Sequence, residues 1–182
     1  MTIFTPDKFW RGAVLGCATG LVPWLRDRGS LTLRIQQRCA QFDVRGVRSG
    51  LARIAPDEAA LLGVAPPHLA YSREVFLYAD GVPVVFAHSA CARQHLRGAW
   101  AAVGVGQQAA GALLFAHPLV ERRPLHYRAL RGTHTLYRRA AALLDHPPGR
   151  LWARRSLFYL HGAPLLVTEV FLPEILELAK PA

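Results

Sequence analysis

The chain has 182 residues, 52% of them hydrophobic, which is enough for one domain spanning 1–182 with a sizeable core. Lys and Arg number 22 against 12 Asp and Glu, a net charge of +10, and only Lys8 and Lys180 are lysines. That charge suits an anionic small molecule, and the scattered arginines lack helix-turn-helix, RNP-like or zinc-finger spacing, so no specific nucleic-acid partner is expected.

Residues 1–40 read as helical with interruptions. Phe9, Trp10, Val14 and Leu15 form a short apolar stripe, and Gly20 to Pro23 break it before Trp24-Leu25. Val14-Leu15-Gly16-Cys17 resembles a lipoprotein cleavage box, but the apolar run ahead of it is too short, so Cys17 reads as a buried or half-buried thiol. Cys17, Cys39 and Cys91 are odd in number and widely spaced, with no CxxC or Cys/His cluster. A reducing, cytoplasmic setting without a bound metal is expected. Gly29-Ser30 ahead of Leu31-Thr32-Leu33 reads as an N-cap opening a second short helix.

From Gln41 to Ile54 the pattern turns strand-like, and residues 55–70 form a Pro-rich connection around a turn of helix at Glu58. SREVFLYA and VPVVFAHS flank Asp80-Gly81, a strong hairpin signal. Counting outward from that loop places Arg73 opposite His88 and on one face with Val75, Leu77, Val84 and Phe86. Arg73 there either reaches the sheet edge and its water or serves a ligand.

Residues 92–117 read as helical, with a small-residue run from Gln107 to Gly111 that a ligand or another element could approach closely. Residues 121–130 read as a strand followed by a short helix or loop near Leu136-Tyr137. Arg150 to Pro173 reads as a second hairpin about His161-Gly162, with Leu160 opposite Ala163, Arg155 opposite Thr168 and Arg154 opposite Glu169. Glu169 then shares a face with Leu165, Val167 and Phe171, where an unpaired carboxylate is costly. Two explanations stand: a cross-strand ion pair with Arg154, or a ligand pocket.

The expected fold is α+β, with an antiparallel sheet of about six strands and helices at the start and middle. GxGxxG, GxxxxGK[ST], HExxH and GxSxG are all absent, which disfavours Rossmann, P-loop, zincin and α/β-hydrolase chemistry. No apolar run is long enough for a transmembrane helix.

SREVFLYADGVPVVFAHS, VGQQAAGALLF and LWARRSLFYLHGAPLLVTEVFLP together resemble the chorismate pyruvate-lyase family in order and spacing, over roughly Trp24 to Pro173. The resemblance implies a buried cavity on the sheet, closed by helical flaps, and a carbon–oxygen lyase working without metal or organic cofactor. Its substrate would be chorismate, its products 4-hydroxybenzoate and pyruvate, and its place the opening of ubiquinone synthesis. Carried over by position, Arg73 would grip the ring carboxylate, Glu169 would meet the 4-hydroxyl and Leu31 would cover the ring. Ala87, His88, Ala110 and Gly111 complete the implied binding set. Ala87-His88 and Ala109-Ala110 depart from the Gly-Arg and Pro-Leu of many relatives, which bears on affinity and product retention. His88 would be a shorter, titratable donor, and the Ala87 amide could donate to a carboxylate. The rival class is a non-catalytic effector-binding domain of similar fold. The chain leaves no space for a winged DNA-binding domain ahead of the sheet, which ranks that class second. A monomer is expected.

Overall fold

A computed structural model of the chain describes residues 9–65, 69–101 and 114–178. Two short helices come first, α1 (Val22–Arg26) and α2 (Leu31–Gln36), α1 entered through a 3-10 turn at Thr19–Leu21. Strand β1 (Phe42–Ala52) and helix α3 (Pro56–Leu62) follow. A hairpin of β2 (Ala70–Ala79) and β3 (Val82–Ala92) leads to α4 (Arg93–Leu96). Then come β4 (Glu121–Arg122), β5 (His126–Leu130), α5 (Thr135–Ala141) and a closing hairpin of β6 (Leu151–Leu160) and β7 (Ala163–Phe171).

The seven strands make one antiparallel sheet in the order β1-β2-β3-β7-β6, with β4 and β5 sharing the outer flank of β6. The two hairpins bring β3 and β7 together at its centre. Both turn on two residues of positive φ, Asp80 and Gly81 at 49° and 81°, His161 and Gly162 at 50° and 77°. That is the primed-turn geometry whose twist matches the strands, and glycine in second place takes it without a Cβ clash.

The closing hairpin keeps the counted register, Arg154 opposite Glu169 and Arg155 opposite Thr168. The first does not. Tyr78 pairs with Pro83 but Leu77 with Val85, so Val84 is an inserted residue. The slip reverses the parity of everything beyond it on β3. Arg73 therefore faces Ser89, and His88 faces Glu74.

Each face of the sheet has its own core. Val75, Leu77, Val85 and Phe171 lie under Trp24, Leu25, Leu31 and Ile35 of α1 and α2. Phe76, Phe86, Ala153 and Val170 lie under Leu136, Tyr137 and Ala140 of α5, with Trp10. The Phe9–Leu15 stripe is not helical. Arg11 exchanges main-chain hydrogen bonds with Tyr127 at 2.9 and 2.8 Å, an isolated bridge. Trp10 is thereby buried and donates to Asp57 at 3.2 Å, while Phe9 and Leu15 stay exposed.

Candidate active site

The face beneath α2 holds a cavity whose floor is β2, β3 and β7. Arg73, Val75 and Leu77 come from β2, Ala87 and Ser89 from β3, and Val167 and Glu169 from β7. Its cover is Leu31 and Thr32 of α2, Leu114 and Phe115 of a helical turn at 114–116, Arg122 of β4 and Phe158 of β6. The space enclosed is about 50 Å³. That volume holds a few waters rather than a substituted six-membered ring, so a ligand of that size requires the cover to shift.

Strand alternation delivers Arg73 to this floor. It is 8% exposed although charged, and burial pulls its pKa down. β2 is covered on its outer side by β1, so Arg73 does not reach a sheet edge. Glu169 makes the ion pair and also faces the cavity. Its Oε2 accepts from Arg154 Nε at 2.5 Å.

Arg154 is 1% exposed and has a second engagement. Its Nη1 donates to the carbonyls of Trp24 at 2.9 Å, Leu25 at 3.4 Å and Asp27 at 2.6 Å. These lie at and just past the end of α1, where carbonyls lack helical partners. One guanidinium thus ties the cavity's carboxylate to the segment leading into α2. Leu31 follows directly, 3% exposed, with Ser30 accepting from the Leu33 amide at 3.4 Å.

Ala87 lines the floor as implied, but β3 is an interior strand and Ala87 pairs with Val75 on one side and Glu169 on the other. Its main chain belongs to those ladders, so it offers a low wall rather than a spare donor. His88 requires a larger correction. Its imidazole points through the opposite face, 3.1 Å from Glu74 and 3.2 Å from Glu58, with Arg139 also on Glu74. Burial alone would lower its pKa, but the two carboxylates outweigh that and push it up to about 9. What His88 gives the cavity is main chain. Ala110 and Gly111 lie outside the described residues.

The charged cavity residue that the sequence reading did not single out is Arg122. Arg122 lies with its guanidinium carbon 5.2 Å from the Phe115 ring centre and 5.3 Å from that of Phe158, and burial lowers its pKa. Its strand is two residues long, too short for alternation to tell Arg122 from Arg123. Among the described residues, no group of three or more His, Cys, Asp or Glu could hold a metal ion.

The model of the chorismate lyase family matches residues 12–180. The chain belongs to the chorismate lyase family. It is 52% identical over 158 residues to a protein of Nitrosospira multiformis named "Probable chorismate pyruvate-lyase", covering 86% of this chain and 88% of that one. It is 53% identical over 161 residues to a protein of the same name from Aromatoleum aromaticum, covering 87% of each.

Among solved structures, the C-terminal domain of the histidine utilization repressor of Pseudomonas syringae pv. tomato superposes with a TM-score of 0.56 at 7% identity. The match covers 77% of this chain and 95% of that one. The ligand-binding domain of a GntR-family regulator from Bordetella bronchiseptica gives 0.54 at 17% identity, over 74% and 86%. At those identities the likeness is one of fold alone. No helix among the described residues is long and apolar enough to cross a membrane.

Proposed function

We propose that this protein is a chorismate pyruvate-lyase, converting chorismate to 4-hydroxybenzoate and pyruvate at the first committed step of ubiquinone synthesis. It acts in the cytoplasm as a monomer, as one domain spanning 1–182, without metal or organic cofactor. The observation that carries the reading is Arg73 and Glu169 on the floor of one enclosed cavity, in a chain of this family.

Chorismate carries a carboxylate on its ring, a hydroxyl at C4 and an enolpyruvyl ether at C3. Cleavage of the C3–O bond and loss of the C4 hydrogen aromatise the ring. In the net reaction one proton leaves C4 and one is gained by the methylene carbon of the departing group, which becomes the methyl of pyruvate. Aromaticity drives the step, so the protein's work is to fix the reactive conformer and exclude water. Arg73 takes the ring carboxylate, for which its planar fork offers paired donors. Glu169 accepts from the 4-hydroxyl. Arg154 aims Glu169 while anchoring the segment that leads to the Leu31 cover. Val75, Leu77 and Val167 supply apolar walls for the ring.

The test is to mix protein and chorismate with no added cofactor. Formation of 4-hydroxybenzoate and pyruvate in equal amounts, faster than spontaneous decay, is expected. Saturable binding of 4-hydroxybenzoate without turnover would instead favour a non-catalytic role like that of the Bordetella bronchiseptica ligand-binding domain, which has a similar fold.

A further inference from the structure

Arg122 is a cavity cation to which the proposed chemistry gives no task. It stands on the cover, on β4, whereas Arg73 stands on the floor. Three observations define it. Its guanidinium lies near the rings of Phe115 and Phe158, which limit how it can turn. Its Nη1 donates to the Arg28 carbonyl at 2.7 Å, in the same segment that Arg154 holds. Its Nε is buried and has no hydrogen-bond partner among the described residues.

A buried guanidinium N–H without an acceptor is costly, and folding would ordinarily turn it toward one. Here the two neighbouring rings and the Arg28 carbonyl fix the group with its Nε–H unspent. Nearby charges do not supply the acceptor either: no described residue accepts from Nε, Glu169, whose field Arg122 feels, included. The missing partner is an anion that arrives with the ligand. Chorismate brings two carboxylates, and Arg73 accounts for one.

We infer that Arg122 binds the second carboxylate, on the enolpyruvyl arm, and so selects the dicarboxylate substrate over its monocarboxylate product. The inference rests on the lyase reading and deepens it. Once the C3–O bond breaks, the arm's carboxylate leaves with pyruvate. The aromatic product then keeps the Arg73 contact and loses the Arg122 contact.

The probes are 4-hydroxybenzoate, 3-(carboxymethoxy)-4-hydroxybenzoate, and the primary amide of the latter's side-arm acid, titrated calorimetrically into the full chain. Wild-type protein is expected to prefer the free acid over the amide by roughly 10- to 100-fold, the worth of one charge-assisted contact. Arg122→Gln and Arg122→Lys are expected to shrink that preference and to raise KM for chorismate in proportion. Affinity for 4-hydroxybenzoate itself should change by less than about threefold, and its retention certifies a folded pocket. Equal wild-type affinity for acid and amide overturns the assignment without any variant, as does a variant that loses all three ligands in proportion. Discrimination of acid from amide in a protein that leaves chorismate uncleaved would fault the lyase reading and spare Arg122. Cleavage without discrimination would do the reverse.

Discussion

Glu169 is held by one guanidinium that is itself held by three carbonyls, so the two partners should respond differently to mutation. Arg154→Ala leaves a carboxylate and the α1 carbonyls without their cation in a largely buried site. A loss of about 3–5 kcal/mol in urea denaturation is expected, with turnover falling as a consequence. Glu169→Gln leaves Arg154 its carbonyls, so stability should fall by only about 1 kcal/mol while turnover falls at least about 100-fold. Equal destabilisation by both would reduce Glu169 to a structural role.

His88 makes a third prediction at this scale, and its sign follows from the direction of the shift. The folded pKa, about 9, lies above the ordinary 6.5, so the protonated ring stabilises the fold. That stabilisation is complete below about pH 6.5 and is lost as pH rises through about 9, at up to ~1.4 kcal/mol per unit. Denaturation midpoints should fall across that window, and His88→Gln should flatten the fall. KM for chorismate should move little, because the imidazole lies on the far face. A KM change of tenfold or more would return His88 to the binding set.

At the scale of elements, the cover depends on α2, a helix of six residues with little stability of its own. Ser30→Ala removes its cap and is expected to cost about 1 kcal/mol. Release of 4-hydroxybenzoate in stopped flow should then quicken by up to about fivefold. An unchanged release rate would mean the cover opens elsewhere.

The same scale shows what the sequence made legible. Asp80-Gly81 and His161-Gly162 announce their hairpins through turn chemistry, and the register of the second, with its Arg154–Glu169 pair, follows by counting. Arg73 reached the correct face because it lies on β2, whose side was set by its own alternation. His88 was misplaced by a single inserted residue, Val84, which no local propensity marks beyond the neighbouring Pro83. Arg122 was invisible because two residues cannot show a period. The Arg11–Tyr127 bridge was invisible because its partner lies 116 positions along the chain, a contact that tertiary packing decides.

At the scale of the whole molecule, the described sheet ends at β1 on one side and at β4 and β5 on the other, where Arg11 bridges Tyr127, and both ends discourage pairing with a second copy. β1 carries exposed Arg45 and Arg48 around a register break between Gly46 and Arg48. The other edge is divided between β4 and β5, with Pro124 between them. Charges, a bulge and short edge strands are the usual defences against edge association. Together with a net charge of +10 they predict a monomer in sedimentation at physiological salt. A concentration-independent dimer would contradict that.

The central claim is that the cavity over Arg73 and Glu169 is where chorismate is cleaved. The measurement that tests it most directly is pyruvate release from chorismate by wild type and Arg73→Ala side by side, with 4-hydroxybenzoate binding measured on the same samples. The account predicts rapid release by wild type, and a loss of roughly 100-fold or more in kcat/KM together with weakened product binding in the variant. Arg73→Ala turning over chorismate as fast as wild type, in a folded protein, would place the chemistry elsewhere.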